Sequence, residues 1–190
     1  MKKLIYCLKS IEECSKLESE LPSHILEHCR KYSDERSSVS FFGYRLLGYL
    51  LNKLGMSINS LSFSNNGKPL LIDGFVSISH SRDMIMVSFS EIEHGIDIQY
   101  DDLTLDLDRI IKKYFPSNYS KYSLLNDERK RKLFYSLWVK KESFTKCYDR
   151  NILDYSEYDY DSENVKVINS KINNYYIGVC SKEEVEIEVL

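Results

Sequence analysis

The sequence predicts an α+β fold made of two pseudo-symmetric α+β lobes. Three observations favour it: the chain has 190 residues, 43% of them are hydrophobic, and helical patterns give way to strand patterns twice along its length. The 7 glycines and 3 prolines exclude collagen-like and low-complexity classes. We place the N-terminal lobe at residues 1–102 and the C-terminal lobe at residues 103–190.

The first lobe is predicted from one strong helix and a set of strands. Apolar residues recur at helical spacing from Phe42 to Leu54, and Gly55 stands where a C-terminal cap is expected. Residues 90–94 are predicted to join the last two strands of this lobe as a hairpin loop. The predicted elements are a strand at 3–8, helical signals over 11–33, a helix at 35–54, and strands at 75–79, 84–89 and 95–100.

The second lobe is predicted around one clear helix that is followed by strands. Leu133, Phe134, Leu137 and Trp138 recur at the i+3 and i+4 spacings of a helix that buries one face. The predicted elements are a helix at 107–114, a polar, tyrosine-rich loop or short irregular helix at 116–126, a helix at 129–148, and strands at 164–169, 175–180 and 185–190.

Composition and charge narrow the class of protein. The chain has 26 basic and 29 acidic residues, so it lacks the basic excess of a dedicated nucleic-acid binder, although a local basic pocket for a phosphorylated small molecule is compatible with it. The five cysteines have no metal-ligand spacing and indicate free thiols in a reducing compartment. No stretch approaches the roughly 18 apolar residues of a membrane span. We expect a monomeric, cytoplasmic protein with no membrane or nucleic-acid partner.

The segment Gly95-Ile96-Asp97-Ile98-Gln99 contains a candidate metal-binding pair. Alternate side chains of a strand share a face, so Asp97 and Gln99 are predicted to lie side by side, opposite the apolar residues. Two oxygen-bearing side chains suit a hard cation such as Mg²⁺ when further oxygens come from elsewhere. The alternative is an ordinary half-exposed strand with a polar outer face, and these five residues alone favour that alternative.

A second candidate lies on the helix at 129–148. Trp138, Glu142 and Lys146 are spaced at i, i+4 and i+8, so they form one stripe. The functional interpretation is a carboxylate metal ligand or base with a phosphate-binding cation one turn away. The alternative is a buried tryptophan beside an ordinary Glu–Lys pair, which the stripe alone favours.

Two further segments contain residues suited to phosphate. Ser79 and His80 stand at the end of a predicted strand, where a histidine and a flanking hydroxyl can donate hydrogen bonds to phosphate. Gly67, Lys68 and Pro69 form a turn with a lysine, but without the spacing of a P-loop. Taken singly, each is an ordinary turn.

The order of these segments carries more information than any one of them. Gly-Lys-Pro, a strand ending in Ile-Ser-His-Ser, Gly-Ile-Asp-Ile and Trp-x-x-Lys-Glu-x-x-x-Lys occur in succession between Arg45 and Lys146. This order resembles the Sfp-type 4′-phosphopantetheinyl transferases, and Gly43-Tyr44-Arg45-Leu46-Leu47-Gly48 is similar to the N-terminal helix of that family. Beyond Lys146 the resemblance is limited to strand-like character.

The resemblance implies a fold, an activity and a set of binding residues. The fold would be the two-lobed fold of that family, with coenzyme A in the cleft as co-substrate. The enzyme would transfer the 4′-phosphopantetheine arm to a serine of an apo acyl or peptidyl carrier protein and release 3′,5′-ADP. The coenzyme A contacts implied by similarity, together with one upstream lysine that no motif anchors, are Arg45, Gly67, Lys68, Pro69, Ser79, His80, Lys146 and Lys31. For Lys31 and its neighbour Arg30, a solvated helix face is the favoured alternative.

The resemblance also implies roles in catalysis. Asp97 and Glu142 match the carboxylates that hold Mg²⁺, and Gln99 stands where the family often has an acidic residue, so it is expected in or near the metal's ligand set. Lys146 and His80 are expected to stabilise charge on the diphosphate, and Glu142 is the candidate base that accepts the serine proton, directly or through water.

Two questions stay open at the level of sequence. An aromatic segment between the metal strand and the Trp138 helix is either a docking surface for the carrier or packing between the lobes; its residues are Tyr114, Phe115, Tyr119, Tyr122 and Leu124. The neutral Gln99 also leaves an alternative to the enzyme, namely a degenerate relative that binds coenzyme A or a carrier without catalysis.

Overall fold

The computed structural model describes residues 2–18, 20–31, 34–150 and 166–190, and these residues form helices packed on two β-sheets. The predicted α+β class is confirmed. The helices are α1 (Ile11–Ser15), α2 (Ser23–Cys29), α3 (Asp34–Lys53), α4 (Leu107–Tyr114), α5 (Tyr119–Ser123) and α6 (Asp127–Cys147). The strands are β1 (Lys2–Ser10), β2 (Ser62–Phe63), β3 (Pro69–Leu71), β4 (Gly74–Ser81), β5 (Met84–Ser90), β6 (His94–Tyr100), β7 (Lys166–Ile172), β8 (Tyr175–Ser181) and β9 (Val185–Val189).

One predicted helical segment is divided in the structure. The helical signals over 11–33 form the two helices α1 and α2, because Pro22 has no N–H to continue a helix and instead stands at the N-terminus of α2. Of the two alternatives predicted for 116–126, a loop or a short irregular helix, the structure has the short helix α5. The first two residues of the predicted strand at 164–169 lie outside the described residues, and β7 covers the remainder.

The larger sheet has six strands in the order β2-β3-β4-β5-β1-β9, and the smaller has three in the order β6-β8-β7. The predicted hairpin between residues 84–89 and 95–100 is therefore wrong. Strand β5 pairs with β4 on one side and with β1 on the other, so neither of its edges is left for β6. The segment between β5 and β6 instead carries the chain from one sheet to the other.

Each sheet contains strands from both sides of residue 102. Strand β9 runs parallel to β1, with Ile187 beside Leu4. Strand β6 pairs with β8 in antiparallel register, with Gly178 opposite Asp97. The two halves of the chain are thus tied together at both sheets.

Helix α3 covers the larger sheet and buries its leucines there. Leu46, Leu47, Leu50 and Leu51 are inaccessible to solvent and pack in one cluster with Val87 and other residues of the sheet. Helix α6 covers the smaller sheet against β6 and β8. Among the described residues, none of the helices is long and apolar enough to cross a membrane.

A row of serine hydroxyls joins the two sheets. Alternate residues of an edge strand direct their N–H groups away from the paired strand. On β6 these N–H groups belong to Ile96, Ile98 and Tyr100, and each donates to a serine of β4 at 2.9–3.2 Å. The three acceptors, which we call the serine row, are Ser77, Ser79 and Ser81. Strand β6 is therefore fixed to β4 by side-chain oxygens, whereas it is fixed to β8 by its backbone.

A buried histidine adds a second link between the sheets. His94 is inaccessible to solvent, and its Nδ1 lies 2.9 Å from the carbonyl oxygen of Ile92. A carbonyl only accepts, so Nδ1 carries the proton, and Nε2 accepts the hydroxyl proton of Ser88 at 2.7 Å. Burial is the main cause that lowers the pKa of His94 from 6.5 to about 4.

We expect His94 to make the fold sensitive to acid. The folded pKa lies below the ordinary value, so the unfolded chain binds this proton more readily. The contribution of the neutral ring to stability is complete above pH 6.5 and is lost as the pH falls towards 4. Between about pH 6 and 4.5, the free energy of unfolding of the wild type should therefore fall more steeply than that of His94→Asn, by about 1.4 kcal/mol per pH unit. Urea denaturation at each pH measures both slopes.

The matched control is His24→Asn, which replaces an exposed histidine and should keep the wild-type slope. Equal slopes for the wild type and His94→Asn would contradict this account.

Candidate functional site

One serine of the row, Ser79, also contacts a buried carboxylate. Asp97 on β6 is 1% exposed, and Ser79 of the serine row donates to its Oδ1 at 2.7 Å. The amide Nε2 of Gln99 donates to Oδ2 at 3.2 Å. Asp97 and Gln99 thus share one face of the strand, as the alternation of the sequence predicted.

Two glycines bring helix α6 onto this face of the smaller sheet. A Cβ at Gly95 would lie 2.1 Å from the carbonyl oxygen of Ser143, and one at Gly178 would lie 2.4 Å from that of Val139. Real Cβ atoms do not approach so closely, so the helix backbone rests directly on β6 and β8 because these side chains are absent. The turn of α6 that contains Glu142 and Lys146 is thereby held beside Asp97.

Lys146 forms an ion pair with Asp97 and also contacts the serine row. Its Nζ lies 2.8 Å from Asp97 Oδ1 and 2.8 Å from Ser79 Oγ. The Lys146 side chain is 30% exposed, whereas that of Asp97 is 2% exposed. The ammonium group therefore stands at the boundary between the buried carboxylate and the solvent-accessible cleft.

Glu142 is close enough to both partners to respond to their charges. Burial and, to a smaller extent, the charge of Asp97 raise the pKa of Glu142, while Lys146 and Lys141 oppose the shift, and the pKa that results is about 7. The carboxylates of the buried Asp97 and the half-buried Glu142 thus repel each other, and the charge of Lys146 attracts both.

A cavity of about 310 Å³ lies beside this cluster. Its lining brings together the predicted Gly67, Lys68, Pro69, His80 and Lys146 from three separate segments. The charged and ionisable side chains on its wall make it suited to an anionic ligand.

The turn before β3 connects the cavity to the end of α6. Gly67 has a φ of 84°, a conformation that glycine adopts without strain. The Nζ of Lys68 donates to the carbonyl oxygen of Cys147 at 3.0 Å, and Asn66 donates to that of Asp149 at 3.2 Å. Lys68 therefore caps the C-terminus of α6 as well as lining the cavity.

Three of the predicted coenzyme A contacts lie away from the cavity wall. The guanidinium of Arg45 donates to the carbonyl oxygens of Ser15 and Leu17, at the end of α1. Lys31 is exposed beyond α2 and does not line the cavity. Ser79 lies behind Asp97, where one donated and two accepted hydrogen bonds occupy its hydroxyl. These three coenzyme A contacts stay predictions.

The cavity also contains residues that the motifs did not indicate. Arg150 and Thr145 line it from the end of α6, and Tyr44 lines it from α3. Arg150 continues the spacing of four residues that runs through Glu142 and Lys146, but α6 ends at Cys147, so helical spacing alone does not place Arg150 on the cavity wall.

The aromatic segment divides between packing and surface. Phe115 and Tyr122 are 4% and 2% exposed and pack in the core around α6, with Phe115 edge-on to Trp138. Leu124 is 87% exposed. Lys141 is also fully buried, and its Nζ lies 5.1 Å from the ring centre of Tyr114 and has no hydrogen-bond partner among the residues that the structure describes.

Comparison with known proteins finds relatives that are named as 4′-phosphopantetheinyl transferases. The chain is 31% identical over 130 residues to the 4′-phosphopantetheinyl transferase HetI of Nostoc sp. strain PCC 7120, which covers 64% of this chain and 52% of HetI. It is 31% identical over 129 residues to the 4′-phosphopantetheinyl transferase of Bacillus subtilis, covering 63% of this chain and 56% of that protein. No family model matches the chain.

These similarities confirm the predicted resemblance to the 4′-phosphopantetheinyl transferases. The chain spans about half the length of the curated relatives it matches.

We expect Gly95→Ala to damage the site through the position of α6. The added methyl group would meet the Ser143 carbonyl, so the helix must move off β6 and take Lys146 away from Asp97. Overpacking of this kind costs about 1–3 kcal/mol of unfolding free energy, measured by denaturant titration.

Gly55→Ala is the control, because a Cβ there meets no atom within 4 Å and only the positive φ opposes it. A Gly95→Ala protein as stable as the wild type would show that α6 does not rest on β6 as described.

Proposed function

We propose that the chain is a 4′-phosphopantetheinyl transferase. It would transfer the 4′-phosphopantetheine arm of coenzyme A to a serine of an apo acyl or peptidyl carrier protein, with Mg²⁺, and release 3′,5′-ADP. One observation carries the proposal: residues from separate motifs converge at one end of a polar cavity. Asp97, Glu142 and Lys146 form a charged cluster there, beside Lys68 and His80 on the wall.

The oxygen atoms of the site suit a Mg²⁺ ion that takes some of its ligands from the co-substrate, coenzyme A. Among residues 2–18, 20–31, 34–150 and 166–190, no group of three histidine, cysteine, aspartate or glutamate side chains is arranged to hold a metal alone. Asp97, Glu142 and the amide oxygen of Gln99 supply hard oxygen ligands, and Mg²⁺ commonly completes its shell with water and phosphate. When bound, Mg²⁺ would neutralise charge on the diphosphate.

In the proposed transfer reaction, each residue of the site has a separate role. The serine oxygen of the carrier attacks the phosphorus that bears the pantetheine arm, and the bond from that phosphorus to the bridging oxygen breaks. Lys146 and His80 stabilise the charge that builds on the leaving phosphate. Glu142 accepts the serine proton, directly or through water. The arm ends on the serine, and 3′,5′-ADP leaves with the bridging oxygen.

The exposed side of the aromatic segment is the proposed contact for the carrier. Leu124 is open to solvent beyond α5, and Leu103 is 79% exposed on the chain that leads to α4. Lys112 and Lys113 at the end of α4 and Lys121 on α5 bring positive charge to this segment, although the chain as a whole has a net charge of −3. An acidic carrier helix would meet both features here.

We expect Asp97→Asn and Glu142→Gln each to lower turnover by about 100-fold or more, because each removes a carboxylate of the reacting site without opening a core cavity. The measurement is the mass gain of an apo carrier protein incubated with coenzyme A and Mg²⁺. Glu91→Gln, which neutralises an exposed glutamate outside the site, is the matched control and should keep wild-type turnover.

Near-normal turnover of either variant at saturating Mg²⁺ would contradict these roles. A wild-type protein that binds coenzyme A but modifies no apo carrier would support the alternative of a relative that binds without catalysis.

A further inference from the structure

Both oxygens of Asp97 are already engaged by donors of the protein. Ser79 and Lys146 occupy Oδ1 at 2.7 and 2.8 Å, and the amide of Gln99 occupies Oδ2 at 3.2 Å. Two donors fill both acceptor positions of Oδ1, so a divalent cation that binds this oxygen must take the place of one of them. The cation would also be repelled by the ammonium group of Lys146, so the two compete for the carboxylate.

Lys146 is the donor whose side chain can move away from Asp97 into the cavity. Its side chain is 30% exposed and lines the same cavity as Lys68, His80 and Arg150. A flexible stem of four carbons carries its charge, so rotation of that stem can move the ammonium group from Asp97 into the cavity. Ser79 has no such freedom, because its hydroxyl also accepts from the backbone of Ile98.

We propose that Lys146 is a resident cation, which neutralises Asp97 in the free protein and leaves it when an anion enters the cavity. The proposal rests on the proposed function, in which that anion is the diphosphate of coenzyme A. Lys146 then bonds to phosphate, and the vacated carboxylate accepts a divalent cation. The diphosphate and the cation therefore bind with positive coupling, and each raises the affinity of the other by the same factor.

Gln99 fits the same arrangement. Its Nε2 donates to Asp97, so the amide stabilises the carboxylate without any metal. A glutamate in this place would repel Asp97 and attract a divalent cation to the free protein. The neutral residue thus favours the state in which Lys146 holds the carboxylate.

The test is Mn²⁺ binding to the free protein, followed by the loss of the spectrum of free Mn²⁺ in electron paramagnetic resonance. We expect weak binding to the wild type and binding about tenfold tighter or more to Lys146→Met, since a charged hydrogen bond no longer competes. Gln99→Glu should also bind more tightly. Lys146→Arg, which keeps the charge, should remain weak, and Lys140→Met, which removes a charge elsewhere on α6, should match the wild type.

A second titration adds saturating coenzyme A, with a protein-free control for its own Mn²⁺ binding. Coenzyme A should tighten Mn²⁺ binding to the wild type and have a much smaller effect on Lys146→Met. Circular dichroism shows whether each variant is folded.

Two results would overturn the proposal: tight Mn²⁺ binding to the free wild type, or no gain in affinity for a folded Lys146→Met. If Lys146→Met gains affinity while the wild type binds no coenzyme A, the resident cation is supported and the proposed function is overturned.

Discussion

The structure depends on the hydrogen bonds by which three serine hydroxyls of β4 hold the edge of β6. An edge strand presents unpaired N–H groups, and burying them unpaired is costly. Here three N–H groups of β6 donate to the hydroxyl oxygens of Ser77, Ser79 and Ser81, and each donor lies 19 residues after its acceptor. These side-chain hydrogen bonds keep strands β4 and β6 in register. The larger and smaller sheets meet at this row.

The candidate site is a consequence of that junction. Asp97 is next to the backbone groups that the serine row holds, and Ser79 uses the same hydroxyl to accept from Ile98 and donate to the carboxylate. Gly95 then admits α6, which supplies Glu142 and Lys146. A buried carboxylate is tolerable because donors surround it, and one of these donors, Lys146, faces the cavity. The same contacts therefore stabilise the fold and, in our proposal, regulate the site.

Local patterns in the sequence predicted the parts of the site that depend on local geometry. Alternation placed Asp97 and Gln99 on one face of a strand, and helical spacing placed Glu142 and Lys146 on one stripe. Pairing between distant strands has no such signature, so the hairpin predicted for β5 and β6 was wrong. The sequence shows the alternating serines of β4, but their role as hydrogen-bond acceptors depends on which strand lies beside them.

The sequence also could not predict contacts between a side chain and the backbone of a distant segment. Lys68 was predicted as a phosphate contact, and its bond to the Cys147 carbonyl follows only from where α6 ends. Arg45 was assigned to the nucleotide by resemblance, whereas its guanidinium contacts the end of α1. The close approach of α6 at Gly95 and Gly178 needed the strand register, because a glycine in a strand has several explanations by sequence alone.

Native-state hydrogen exchange of the β6 amides measures most directly whether the serine row holds β6 and with it Asp97. The amides of Ile96, Ile98 and Tyr100 should be protected in the wild type, although they pair with no strand. Ser79→Ala should accelerate exchange at Ile98 far more than at the other two, and Ser123→Ala, which removes a hydroxyl bonded only to its own helical turn, should change none of them. Unprotected amides in the wild type, or an unchanged Ile98 in Ser79→Ala, would contradict the account.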